Sequence, residues 1–387
     1  MKIFLVAGEH SGDQLGFKLM RALREGAGEP VAFFGTGGEA MQREGMQPLF
    51  PLADIAVMGF LPVLKRLPTV LARIAQTVAA VLATKPDVLV LIDSPDFTHR
   101  VARRVRKALP SLPVVDYVSP TVWAWRPGRA KKMRGYIDHV LALLPFEPAA
   151  HRRLGGPDCT YVGHPLMERL DEFRPNAAEA VRRAAGPPQL LILPGSRRAE
   201  IDRLMPVFGE TLARIARDYG PVEAVLPAVL HVEARIRAAV ADWPVQPKIV
   251  TGEAAKLAAF RNARAALAAS GTVTLELGLA GVPMVVAYKV SRIEEAVLLF
   301  LITAKSIVLP NLVLEAKPVP EFIQAICTAQ NLSAALMPLL RNSPERAAQL
   351  AALHQAEVLM QLEPGDTPSA RAARIVLACA RGTTAVL

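Results

Sequence analysis

Residues 88–97 read Val-Leu-Val-Leu-Ile-Asp-Ser-Pro-Asp-Phe. Five branched apolar residues without polar alternation form a strand buried on both faces, the mark of a parallel sheet. The loop that ends the run carries Asp93 and Asp96, with Pro95 fixing the turn between them. The same grammar recurs outward in both directions. Toward the N-terminus lie Ile3–Ala7 and Val31–Phe34. After Ile92 come Val114–Val118, Val140–Leu144 and Tyr161–Val162, then Leu190–Leu193, Val222–Leu226, Lys248–Thr251, Ala265–Ala268 and Met284–Tyr288. Helix-like segments of roughly 10–25 residues separate these runs, which predicts an α/β chain of doubly wound parallel sheets. The polar, proline-bearing stretch Glu172–Pro188 interrupts the series. It divides the chain into two Rossmann-like domains, 1–173 and 174–368, facing a cleft, with a C-terminal helix in 369–387 packing across them. Residues 318–382 read as helical.

The chain has 387 residues with 52% hydrophobic and 21% charged, which supports large cores and excludes a disordered tail protein. Length alone suits two domains at roughly 150 residues each. Cys159, Cys327 and Cys379 are far apart, so neither a disulfide framework nor a cysteine zinc site is expected. No run reaches about 18 uninterrupted apolar residues, so no membrane-spanning helix is expected. The opening Met1–Ala7 imitates a signal peptide but is too short, and a cytoplasmic protein is expected. Net charge is +10, and it is uneven: residues 1–160 hold 21 Lys+Arg against 14 Asp+Glu, the remainder 24 against 21. Such an excess suits nucleic acid, an anionic membrane surface or a phosphorylated substrate. The even spread of arginines in the second half and the strand-end carboxylates argue against nucleic acid.

Ligands of doubly wound sheets bind beyond the carboxyl ends of the strands, so the loops there carry the chemistry. After the first strand comes Gly8-Glu9-His10-Ser11-Gly12-Asp13, which places carboxylates Glu9 and Asp13 at a helix start; a capped turn reads equally well. Asp93 is a candidate general base, first after its strand, and Asp96 a candidate N-cap. Trp123 and Trp125 precede a basic run, suited to a base, a membrane interface or the core. Leu193–Ile201 holds Gly195, Ser196 and Arg197 at a helix N-terminus, a diphosphate cradle without a Walker lysine. Ser270, Gly271 and Thr272 open another helix, and Glu276 one turn in suits a ribose diol or an ordinary first-turn glutamate. Finally, Phe60, Leu64, Leu67, Leu71 and Ile74 form an apolar stripe widened by Leu61, Val63 and Val70. Beside Lys65, Arg66 and Arg73, the stripe suits an anionic membrane or a plain core face.

Taken in order, GEHSGD (8–13), AVMGF (56–60), IDSPDF (92–97), YVSPTVWAWR (117–126), LPFEP (144–148), VGHP (162–165), LPGSR (193–197), SGTVTLE (270–276), PMVVAYK (283–289) and LPNLV (309–313) resemble the lipid-A-disaccharide synthase family across nearly the whole chain. The resemblance implies a GT-B fold. It also implies an inverting glycosyltransferase that moves 2,3-diacylglucosamine from UDP to 2,3-diacylglucosamine 1-phosphate, with no metal or cofactor. By the same resemblance Asp93 is the base, Glu9 and Ser11 border the acceptor with Asp96, and Arg197 with Gly195 and Ser196 meets the departing diphosphate. Ser270, Gly271, Thr272 and Glu276 hold UDP, and Asn311, Glu321 and Gln324 line the donor side. The Phe60–Ile74 stripe matches the region that meets the inner face of the cytoplasmic membrane, and a homodimer is common in the family. His10, Pro62 and Pro68 depart from the pattern, the prolines against a continuous helix. A soluble-acceptor enzyme acting on UDP-N-acetylglucosamine is the nearest rival.

Overall fold

The computed structural model describes residues 1–55, 60–291, 294–295 and 304–383, with backbone alone for 60–65. It divides into two units, Met1–Glu168 with Leu362–Leu387, and Arg169–Gln361. The expected boundary at 173/174 falls five residues earlier, for an electrostatic reason. Glu168 pairs with Lys18 and accepts from the Ser369 backbone N–H, so it belongs to the first unit. Arg169 pairs with Glu172 and Glu253 of the second. The C-terminal helix Pro368–Arg381 packs on the first unit's opening helix, its Ala372, Ile375 and Val376 sharing that unit's core.

The first unit contains β1 (Lys2–Ala7), α1 (His10–Ala27), β2 (Ala32–Thr36), α2 (Glu39–Arg43), α3 (Phe60–Thr84), β3 (Val88–Ile92), α4 (Pro95–Ala108), β4 (Val114–Tyr117), α5 (Gly128–Met133), β5 (His139–Ala142), α6 (Glu147–Arg153) and β6 (Asp158–Tyr161). Its strands are all parallel, in the order β2-β1-β3-β4-β5-β6. Alternate β1 residues feed opposite cores: Ile3 and Leu5 on one face, Phe4 and Val6 on the other. That two-sided burial is why the strands read as unbroken apolar runs. The chain leaves β1 toward β2 and returns to β3 on the other side, so the topological switch lies between β1 and β3.

In the second unit come α7 (Leu170–Phe173), α8 (Ala177–Ala184), β7 (Gln189–Leu193), α9 (Arg198–Asp218), β8 (Glu223–Ala228), α10 (Leu230–Val240), β9 (Lys248–Thr251), α11 (Glu253–Asn262), β10 (Ala265–Ala269), α12 (Val273–Leu279), β11 (Met284–Tyr288) and β12 (Glu321–Ile323). The sheet order is β12-β11-β10-β7-β8-β9, again parallel, with the switch between β7 and β10. Strand β12 corrects the helical reading of 318–382. It has only three residues at the sheet edge, too few to show a period.

Helix α3 runs unbroken through Pro68, and Pro62 sits in its first turn, where a missing N–H costs little. At about 1.5 Å per residue, its 25 residues outreach any strand of the sheet beside it. Among the described side chains, the helix meets the core through Ile74, Thr77 and Val81, all fully buried, with Val70 partly buried against it. Ile74 is thereby a core residue, not part of an outward apolar surface. Leu67 and Leu71, at 38% and 39% exposure, stay on the surface. The side chains of Phe60, Leu61, Val63 and Leu64 lie outside the described residues. Against the expectation of no spanning helix, Arg66–Thr84 is long and apolar enough to cross a membrane by length and composition, with 17% of the window buried. Arg66 and Arg73 interrupt the uninterrupted run that the expectation required.

Candidate active site

At the switch point of the first sheet, the loops after β1 and β3 touch. A Cβ on Gly8 would stand 2.3 Å from the Ser94 Cβ, so only glycine permits the approach. Ser11 Oγ donates to Asp93 Oδ2 at 3.3 Å, and the Ser94 backbone N–H donates to Asp93 Oδ1 at 2.7 Å. Asp93 N–H in turn bonds Tyr117 O of β4 at 3.0 Å. Asp93 and Ser94 both adopt left-handed backbone, φ 58° and 45°, costing about 1–3 kcal/mol each for non-glycine residues. The loop thus spends stability to turn one half-buried carboxylate away from its strand. Glu9 holds the N-cap position of α1 without a side-chain cap bond, and His10 is exposed.

The second sheet carries a cavity of about 690 Å³ at its own switch point, walled by the carboxyl ends of four neighbouring strands. From β7 come Gly195, Ser196 and Arg197; from β10, Ser270, Gly271, Thr272 and Glu276; from β8, Pro227 and His231; from β9, Glu253 and Lys256. Gly195 has φ 102°, and a Cβ there would meet the Glu200 carboxylate at 2.4 Å. Glu200 accepts from the Arg197 backbone N–H at 3.3 Å and from Arg197 Nη1 at 3.2 Å, opening α9. Glu276 accepts from Lys256 Nζ at 2.9 Å, and Ser196 O receives His231 Nε2 at 3.0 Å. Sequence reasoning missed Lys256 and His231. Both follow strands that it had recognised, and reading every strand-end loop would have found them.

Other expected site residues take structural posts. Asp13 is fully buried and accepts the Gly38, Ala40 and Met41 N–H groups at 2.7, 3.0 and 3.1 Å, capping α2. It is not a carboxylate at the open end of the sheet. Asn311, Glu321 and Gln324 are not among the cavity's lining residues. Buried Asn311 grips Val319 through both ends of its amide and donates to Glu321 Oε1 at 2.9 Å. Glu321 Oε2 accepts the Ile307 N–H, and Ile307 O accepts Ser270 Oγ at 2.6 Å. Gln324 takes the Val290 N–H at 2.7 Å. Asn311 and Glu321 therefore brace the loop against which Ser270 rests. Trp123 is half-buried against Phe146, whereas Trp125 is exposed under Arg126. Among the described residues no group of three or more His, Cys, Asp and Glu converges as a metal site requires.

Glu147 of the LPFEP stretch is 3% exposed. Burial pushes its carboxyl up to about 7, against the Leu144 N–H, Trp123 indole and Leu143 N–H, which favour the charged form. A folded-state value above the unfolded one means that the folded state binds more protons between the two. Stability from this group is present below about pH 4.5 and is lost as pH rises to about 7, by up to about 3 kcal/mol. Buried His151, lowered by desolvation, contributes in the opposite direction. The difference between the wild type and Glu147→Gln isolates Glu147. In urea unfolding, the variant should gain on the wild type from about pH 5 to about pH 7 and then level off; a constant difference would remove the ionisation cost.

Two parallel doubly wound sheets, with a carboxylate at one switch point and a glycine-lined cavity at the other, make up a GT-B fold. The solved MurG of Acinetobacter baumannii shares this fold, with a TM-score of 0.57 at 14% identity over 97% of this chain and 98% of its own. A model of the lipid-A-disaccharide synthetase family matches residues 3–374. The lipid-A-disaccharide synthases of Nitrobacter hamburgensis and Rhodopseudomonas palustris are 56% and 54% identical over 376 residues, each covering 97% of this chain and 95% of its own length. The chain belongs to the lipid-A-disaccharide synthase family.

Proposed function

We propose that the protein transfers 2,3-diacylglucosamine from its UDP conjugate to the 6-hydroxyl of 2,3-diacylglucosamine 1-phosphate. The observation that carries this reading is the convergence of Gly195–Arg197 and Ser270–Glu276, remote in sequence, on one 690 Å³ cavity in a member of this family. Asp93 takes the proton of the acceptor hydroxyl as its oxygen attacks the anomeric carbon from the face opposite the diphosphate. The carbon–oxygen bond to the β-phosphate breaks, its electron pair leaves with UDP, and the configuration inverts. The Ser196 N–H and Arg197 meet the growing diphosphate charge at the helix start. Glu276, held by Lys256, receives the ribose hydroxyls. Glu9 and Ser11 border the acceptor.

Mixing both diacylated sugars with the protein should release UDP in step with disaccharide. UDP release without the acceptor, or epimerisation of UDP-N-acetylglucosamine, would refute the assignment.

Acylated substrates place the enzyme on the inner face of the cytoplasmic membrane, with the overhanging part of α3 as the contact. Exposed Leu67 and Leu71 beside exposed Arg66 support this. Leu67→Glu/Leu71→Glu should cut co-sedimentation with phosphatidylglycerol vesicles about tenfold or more, at roughly 1 kcal/mol or more per lost apolar side chain, with the unfolding midpoint unchanged. Undiminished sedimentation would rule out this face.

A further inference from the structure

A second cavity, of about 410 Å³, lies in the first unit, and apart from Asp96 none of its lining residues has a role given above. One face of α4 supplies Pro95, Asp96, His99, Arg100 and Arg103; Arg126, Gly128, Arg129 and Lys132 supply the other wall. Five cations thus face one another across a small basin with a single carboxylate. That carboxylate, Asp96, is 94% exposed and reaches only Arg129, at 3.8 Å. Among the described residues, Arg100, Arg103, Arg126 and Lys132 have no ion pair with a carboxylate. Arginines elsewhere, such as Arg24, Arg73, Arg174 and Arg261, do.

Like charges gathered without counter-charges repel one another, and the fold nonetheless holds them in place. Arg103 Nη2 donates to Tyr136 Oη at 3.0 Å, and its guanidinium lies 4.7 Å from the centre of that ring. Tyr136 Oη contacts His99 Nδ1 at 3.3 Å, and His99 Nε2 contacts Asp116 Oδ2 at 3.0 Å. Asp116 and His99 are each 1% exposed. A buried chain of three side chains therefore aims one solvent-facing arginine into the basin. Arg126 is fixed independently, 4.4 Å over the Trp125 ring. Fixed guanidinium forks match a phosphate dianion.

We propose that this basin binds a phosphomonoester and takes the anomeric phosphate of the acceptor sugar. The identity of the ligand rests on the reaction proposed above. That acceptor is a single phosphorylated glucosamine whose 6-hydroxyl must reach Asp93. The basin opens at Pro95 and Asp96, two and three residues past Asp93 in the same strand-end loop and helix start. The base and the mouth of the basin are therefore close enough in the chain for one phosphorylated sugar to meet both. The donor's diphosphate has its own cavity in the other unit, which leaves the acceptor phosphate as the substrate anion for these cations. An anionic lipid headgroup offers the same phosphate chemistry from another source.

The test compares 2,3-diacylglucosamine 1-phosphate with its dephosphorylated form as acceptors. Arg103→Gln and Arg100→Gln/Arg126→Gln should each raise KM for the phosphorylated acceptor roughly 10–100-fold, the range for a lost charge-assisted hydrogen bond. KM for the donor and kcat/KM for the dephosphorylated acceptor should hold. Asp96→Asn should lower the phosphorylated KM several-fold, a gain that misfolding does not produce. Equal losses with both acceptors would overturn the proposal. So would an unchanged acceptor ratio with lost binding to phosphatidylglycerol vesicles, which assigns the basin to headgroups. Calorimetry with glucosamine 1-phosphate reads the site without turnover. If the reaction fails but the wild type binds this probe and the variants do not, the site stands while the reaction reading falls. If the wild type does not bind it and the acceptor ratio is unchanged in the variants, the site falls.

Discussion

Replacing Asp93 by alanine should lower kcat roughly 10²–10⁴-fold, the effect of losing a positioned acid–base group. Asparagine should cost nearly as much, because it keeps the shape and removes the proton acceptor. The expectation follows from the way the carboxylate is presented. Strand β3 is fully buried, and its end is pinned by Asp93 N–H to Tyr117 O. Two consecutive left-handed residues then swing the side chain out, and Ser11 Oγ and the Ser94 N–H each bond one carboxylate oxygen. Both bonds fix the direction in which the carboxylate faces. Ser11→Ala should therefore lower kcat modestly, since the Ser94 N–H still orients the group. Asp96, almost wholly exposed three residues on, should show no loss of comparable size. Donor KM and the unfolding midpoint of Asp93→Asn should match the wild type, since no hydrogen bond into the core depends on the charge. Steady-state rates with both sugars decide the matter: turnover within tenfold of the wild type in Asp93→Asn would leave the reaction without its base.

Fold class was legible in the sequence because both faces of each sheet are covered, which turns strands into apolar runs that no amphipathic helix imitates. Strand ends were legible for the same reason, and with them Asp93, Gly195–Arg197 and Ser270–Glu276. What escaped was whatever depends on the partner of a side chain. Asp13 and Asp93 both stand in acidic stretches that follow a strand. Only the three N–H groups of α2 distinguish a cap from a carboxylate at the strand end. Lys256 looks like any first-turn lysine until Glu276 is seen 2.9 Å away. Leu67 and Ile74 lie on one stripe of α3, yet Leu67 is 38% exposed and Ile74 fully buried. Helical periodicity fixes the angle around a helix and says nothing about where along it the core ends. The expected unit boundary missed by five residues because hydropathy does not record that Glu168 and Arg169 find partners in opposite units.

Asp13→Ala should unfold the first unit at markedly lower temperature while leaving the UDP cavity intact. The carboxylate is fully buried and accepts three backbone N–H groups at the start of α2, a helix of only five residues. So short a helix does not hold itself, and its dipole favours an anion at this end. Without Asp13 those donors face no acceptor, at about 1–3 kcal/mol for each buried group left unpaired. Partial relaxation leaves a loss of roughly 3–5 kcal/mol, or about 10 °C in Tm for a unit of this size. Met41, also fully buried, and Met46 would loosen with the helix, which couples the cap to the α1 core. Asparagine should fall between. Its oxygen keeps the Gly38 and Met41 bonds, but its NH₂ meets the Ala40 N–H donor to donor. Calorimetric scanning with and without UDP separates the outcomes. UDP affinity should be unchanged in both variants, since Asp13 and the cavity residues belong to different units. A wild-type Tm in Asp13→Ala together with lost turnover would return this aspartate from the scaffold to the chemistry.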